Sequence, residues 1–298
     1  MSKTRLAGIV VLILALGWVG YYVWCSSRHE FPSGVKQGAA GFSVSTEKDC
    51  ASVLRVEPSV QLQSNELTVR LVDQTSRRDV EHLSILARPA CLSLYGARQA
   101  ATVAGEDTSW FNGLTFFLVD AIDGATDQAQ FVRDIISPWS TGKSRYVVVA
   151  SGTFAAYTKD ELIWTLGHEL GHGVYDDSMK RKPIIPVAAI LIFVGFYRAS
   201  LRTAGRPWRI LGIVLILSGV AFLLSGHALF SKAHEMDADV FGVDAAAHTG
   251  VGKALAKAAA LSVLHAHPME EERWYRCGGL NLNVHPSTEK RIKHIENF

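Results

Sequence analysis

The chain has 298 residues, a formal net charge of +2 and 19% charged residues, so it carries no basic field and no nucleic-acid partner is expected. Hydrophobic residues make up 48%, high for a soluble enzyme, and the excess is concentrated in three apolar runs. The length allows one sizeable domain with accessory segments.

The first run, Leu6 to Trp24, contains no charge and is long enough for the roughly 20 residues that span a hydrocarbon core. Trp18, Tyr21, Tyr22 and Trp24 at its far end suit an interfacial aromatic belt. Residues 1–28 are therefore expected to be an uncleaved anchor. With Lys3 and Arg5 in front, a signal peptide cleaved near Cys25-Ser26-Ser27 is the alternative. Glu30 to Ser45, rich in Gly and Ser, reads as a linker.

Residues 29–144 are expected to form an α+β region of unassigned role. Leu67 to Asp73, Leu114 to Asp120 and Arg145 to Ser151 read as strands, being short, β-branched or aromatic, and bounded by turn residues. TSRRDVEHLSILA and TDQAQFVRDII read as helices from apolar residues at three- and four-residue steps. The RYVVVAS strand is a candidate edge for binding an extended peptide. Cys50 and Cys91 suit a bridge in an oxidising compartment or, equally, burial as small hydrophobes; spacing does not decide.

A capping box, Thr158 with Glu161, then opens a helix whose stripe is Leu162, Ile163, Leu166 and Leu170. His168 and His172 fall about three turns inside it, one above the other on one face, so both can reach one ion. Glu169 lies about 100° round the helix, placed for a water on that ion rather than for the ion. Gly171 and Gly173 read as leaving room around the histidines, at a cost near 1 kcal/mol each. H-E-x-x-H alone has false positives, with a solvated helix face as the plain alternative.

The second and third apolar runs, Pro183 to Tyr197 and Ile210 to Phe230, form an expected membrane hairpin at 183–230. Its short loop carries Arg198, Arg202, Arg206 and Arg209. Together with Lys3 and Arg5 these place the loop and the N-terminus on the cytoplasmic side. The remainder then faces outward, although Lys180, Arg181 and Lys182 on the outer flank run against that rule. After the hairpin, SKAHEMDADVFGVDAAA is a second helical pattern. His234, Glu235, Asp237 and Asp239 are its candidates for a third ligand, since catalytic zinc has three protein ligands and an open position. A fourth protein ligand would instead indicate a closed structural zinc in a non-catalytic assembly or chaperone-like membrane protein.

His168 to His172 (HELGH), Glu235 to Asp239 (EMDAD) and His285 to Arg291 (HPSTEKR) resemble the motifs of the membrane-bound zinc peptidases of the HtpX and CAAX prenyl protease type. The resemblance covers residues 145–298. It implies an α+β zincin-like catalytic domain with a mainly helical C-terminal part, interrupted by the hairpin, for three transmembrane helices in all. It also implies one Zn2+ held by His168, His172 and Glu235, Glu169 as general base and acid, and Asp239 orienting a ligand histidine. His285 and Arg291 would bind substrate or the developing oxyanion. The implied function is a membrane endopeptidase acting on membrane or envelope polypeptides, with the lipid bilayer as a second partner. The expected location is a bacterial inner membrane, catalytic domain on the non-cytoplasmic side. The chain departs from the HtpX pattern in showing one span rather than two before the zinc helix, and it lacks the many spans of the CAAX branch.

Overall fold

The computed structural model describes residues 44–76, 80–122, 126–134, 144–175, 184–201, 205–266, 275–277, 280–282 and 286–298. The expected first span, Cys25, most of the linker and His285 lie outside these residues. The described residues divide into two units, one of 44–175, 234–266 and 287–298, the other of 184–233 and 275–286.

The first unit is built on a five-stranded sheet. Its strands are β1 (Val44–Asp49), β2 (Thr68–Asp73), β3 (Leu114–Val119), β4 (Ala129–Asp134) and β5 (Ser144–Ala150), in the order β1-β2-β3-β5-β4. The β2, β3 and β5 strands are parallel, and the outer strands β1 and β4 pair antiparallel. This sheet runs across residue 145, so the region from residue 44 and the strand leading to the H-E-x-x-H helix share one sheet. Side chains alternate across it, as the two-residue period of a strand requires. Val69, Leu71, Phe116, Leu118, Val147 and Val149 join the main core, whereas Tyr146, Val148 and Ala150 form a smaller cluster with Phe117.

The helices of this unit begin with α1 (Cys50–Val53), α2 (Val80–Val103), α3 (Thr153–Ala156) and α4 (Lys159–Val174). The α2 helix connects parallel strands β2 and β3, which need such a crossover. Cys50 and Cys91, both fully buried, are joined by a disulfide that ties α1 to α2.

The expected strands at 67–73, 114–120 and 145–151 are present to within a residue or two. TDQAQFVRDII is not a helix. Its residues Ala129–Asp134 form β4, each with a partner on β5. A short pattern with apolar groups at 129, 131 and 132 suits either period, and the open side of β5 decides by supplying backbone partners. This also moves the candidate peptide-binding edge. The RYVVVAS strand is internal, flanked by β3 and β4, so its backbone groups are already engaged.

The second unit contains α5 (Ile184–Ser200), the first part of α6 (Arg206–Ala246) and a small hairpin of β6 (Tyr275–Cys277) and β7 (Leu280–Leu282). Among the described residues one stretch, Arg206–Leu223, is long and apolar enough to cross a membrane. The α5 helix is equally apolar but has 17 residues, short of the roughly 20 a span takes. One of the three expected spans thus meets the criterion, and three are not established. The two helices touch through glycine: a Cβ on Gly212 would stand 2.5 Å from the Gly195 carbonyl oxygen. Small residues allow such backbone contact between apolar helices. Ile190, Phe193, Tyr197, Ile213 and Leu217 are exposed on this unit.

The α6 helix has 41 residues and continues through Glu235 and Asp239. The third apolar run and the acidic motif, read from sequence as successive patterns, are one helix. A short π turn (Ala247–Val251) follows, then α7 (Lys253–Ala266) and, at the C-terminus, α8 (Thr288–Asn297).

Candidate metal centre

The zinc helix starts where its sequence dictates. Thr158 caps α4, accepting from the Glu161 backbone N–H, while the Glu161 carboxylate accepts from the Thr158 N–H at 2.8 Å. Leu162, Ile163, Leu166 and Leu170 are buried against the sheet and α2. With that stripe fixed, His168 and His172 are held side by side, their Nε2 atoms 3.1 Å apart.

Glu235 of α6 stands beside both rings. Its two carboxylate oxygens stand 3.7 Å from His168 Nε2 and 3.7 Å from His172 Nε2. Ligands placed tetrahedrally at zinc bond lengths lie about 3.3 Å from one another, so the 3.1 Å between the two imidazole nitrogens suits a shared ion, and Glu235 stands beside each of them through a different oxygen. Glu169 is at the edge of the group, its Oε1 4.0 Å from His168 Nε2. The ligand atoms of His168, Glu169 and His172 all lie within 4.8 Å of one another.

Asp239, one turn beyond Glu235, sets the chemistry of His168. Its Oδ1 is 3.0 Å from His168 Nδ1, so the ring's proton belongs on Nδ1 and the Nε2 lone pair faces the ligand gap. Arg291 of α8 lies behind this pair. It is 1% exposed, its Nε donates to Asp239 Oδ2 at 2.7 Å, and its Nη1 is 3.9 Å from Glu235. The resemblance implies a substrate or oxyanion contact for Arg291; its guanidinium lies against the carboxylates of Asp239 and Glu235.

Charge follows the same order. Burial favours a neutral His168 ring, but the bond to Asp239 and its charge prevail and hold its pKa above the usual imidazole range. Burial pushes Asp239 up, yet Arg291 outweighs it and keeps the carboxyl ionised below its ordinary value. Burial also works against the charge on Arg291, and Asp239 restores it. The buried acids Glu235 and Asp239 face the buried Arg291 guanidinium, and two imidazoles stand beside them. Imidazole nitrogens with carboxylate oxygens are the donors that zinc takes, so the donor set fits a cation. His234 is buried as well, its ring centroid 5.0 Å from that of His172 and nearly perpendicular to it.

Small residues bring the two helices close enough for this. A Cβ on Gly242 of α6 would stand 3.0 Å from His168 N, Trp164 Nε1 and Trp164 O, and one on Gly171 would stand 3.2 Å from Ala238 Cα. Gly171 therefore serves the crossing with α6 rather than free space around the histidines. Gly167 faces Ala245 and Gly242, and Trp164 Nε1 donates to the Asp239 carbonyl at 3.3 Å. Sequence reasoning missed Gly167, Gly242 and Trp164. The available signal was the four-residue step of small residues, Gly167 and Gly171 on one helix, Ala238 and Gly242 on the other.

Gly242→Val is expected to cost about 1–3 kcal/mol, because added methyl groups meet the backbone of His168 and Trp164 and a buried indole. Zinc affinity should fall with it. Thermal unfolding and competition with a chelator check both, and a variant matching the parent in each would remove the crossing from the account.

No curated protein and no solved structure matches the chain. The model of peptidase family M48 matches residues 139–298, more than half of the chain, and contains the H-E-x-x-H helix, the Glu235–Asp239 turn and Arg291. On that match, and with a histidine–glutamate–histidine cluster compatible with zinc, the chain belongs to peptidase family M48, zinc metallopeptidases of the HtpX and CAAX protease type.

Proposed function

We propose that this metallopeptidase is a zinc-dependent membrane endopeptidase that cuts membrane or envelope polypeptides, with His168, His172 and Glu235 holding one Zn2+. The observation that carries the reading is the ligand spacing across two helices, 3.1, 3.7 and 3.7 Å. Zinc bound there supplies Lewis acidity to water and to the scissile carbonyl. Glu169 takes the proton from the attacking water and passes it to the departing amine. Asp239 keeps the His168 proton on Nδ1, and Arg291 keeps Asp239 ionised. Among the described residues β4 pairs only with β5, so its outer side suits an extended substrate added as a further strand. His285, outside the described residues, is proposed to contact substrate on the strength of the motif.

The test is digestion of a casein-type substrate by the purified full chain. Cleavage should stop on zinc removal by a chelator and return with stoichiometric Zn2+. Cleavage that persists in metal-free protein would falsify the mechanism.

The catalytic unit is proposed to face the non-cytoplasmic side of a bacterial inner membrane. The Cys50–Cys91 disulfide supports this, since such bonds persist in oxidising compartments. The arginines between α5 and α6 support it from the opposite side. A reporter active only outside the cytoplasm, fused after Asp177, should be active, and one fused in the Arg198–Arg209 loop should be silent. The reverse pattern rejects this orientation.

A further inference from the structure

We infer that His234 is a positioning residue for His172: its ring, packed against those of His172 and Tyr175, fixes the direction of the His172 Nε2 lone pair. This rests on the zinc reading above, with His172 as a ligand, and gives that ligand the support that Asp239 gives His168.

A run of rings carries it. His172 lies across His234 with centroids 5.0 Å apart and planes at 77°, and His234 lies across Tyr175 at 6.4 Å and 79°. Tyr175 in turn meets Phe241 at 5.7 Å and 81°. Each pair is edge to face, an arrangement and separation that aromatic rings favour. The rings come alternately from the two helices. His172 and Tyr175 are three apart at the end of α4, and His234 and Phe241 are seven apart on α6, so each pair shares a face. The far end is anchored: Phe241 is 2% exposed, and a Cβ on Gly171 would stand 3.1 Å from its Cδ1.

The torsion that turns an imidazole about its Cβ–Cγ bond is intrinsically broad, so the neighbours of the ring choose its setting. For His168 the Asp239 carboxylate does so, 3.0 Å from Nδ1. His172 is the more exposed of the two, 22% of its side chain against 6%. A nearly perpendicular ring 5.0 Å away leaves it little room to turn, and the His168 ring stands 4.7 Å from it at 88°. Its Nε2 is thereby kept 3.1 Å from His168 Nε2. Apparent affinity falls with the fraction of time a site spends in its competent setting, so a fixed ring binds an ion more tightly than a turning one. His234 directly precedes Glu235, so the same turn of α6 delivers the carboxylate and the ring that braces its co-ligand.

The test is the zinc affinity of the purified full chain, by competition with a chelator, together with the visible spectrum of the Co2+-loaded protein. Both are read at a temperature where the metal-free protein is folded. His234→Ala should bind zinc about 10- to 100-fold more weakly, the range for losing a group that orients a ligand, and its cobalt bands should shift. His234→Phe keeps a ring and discards both nitrogens, and should hold zinc nearly as the parent does. Tyr175→Ala should weaken binding in the same direction by less, and it decides the matter should His234→Ala not fold. Parent-like affinity in the deciding variant overturns the proposal. A ring with a merely structural role would lower the melting temperature and leave the folded site unchanged. His234→Phe as weak as His234→Ala also overturns it, since the nitrogens would then matter, as they would in a fourth ligand. A parent that takes up no zinc sinks the zinc reading itself. A parent that binds zinc no better than the alanine variants sinks the positioning role alone.

Discussion

Glu169→Ala is expected to lose about 10²- to 10⁴-fold in kcat while its zinc content stays that of the parent, the range typical of removing a positioned general base. The geometry separates the two readouts. The proposed ligands His168, His172 and Glu235 stand 3.1 and 3.7 Å apart without Glu169, whose Oε1 is 4.0 Å from His168 Nε2. That distance leaves room for a water in hydrogen-bond reach of the carboxylate. KM should change little, because the group acts on a proton and not on the substrate chain. A variant that cleaves as fast as the parent removes Glu169 from the mechanism. One that loses zinc along with activity makes it a ligand instead.

Arg291→Met is expected to destabilise the metal-free protein by about 3–5 kcal/mol, the usual cost of stripping one partner from a buried ion pair. Asp239 is fully buried and would lose the counter-ion that keeps it ionised, beside the nearly buried Glu235. The same change removes a positive charge 3.9 Å from Glu235, so zinc should restore part of the loss. Anything bound only to the folded state stabilises it in proportion to the logarithm of its concentration over Kd. Unfolding melts with and without excess Zn2+ check both statements. A loss below 1 kcal/mol in metal-free protein would show that water reaches Asp239. A loss that zinc leaves untouched would place Arg291 outside the metal site.

Both predictions concern groups whose visibility in the sequence differed. Glu169 was legible because its helix has local causes: a capping box at Thr158, an apolar stripe, and histidines four residues apart. The role of Arg291 was not, because its partner Asp239 lies 52 residues away. A motif can flag such an arginine, but only packing shows whether it points at substrate or at a buried carboxylate. The β4 strand was misread for a related reason. Its apolar spacing suits two periods, and the choice was made by β5, a separate segment of chain.

By itself the sequence determined the zinc helix with His168, Glu169 and His172 on it, the three inner strands, and the apolar runs, all of which follow from spacing within a few turns or one strand. Tertiary structure alone decided that β4 joins the sheet beside β5 and that Cys50 meets Cys91. It also decided that glycine on both helices lets Glu235 reach the histidines. The physical reason is range: hydrogen bonds within a helix and side-chain alternation along a strand are local, whereas close approach, ion pairing and burial depend on residues that meet only after folding.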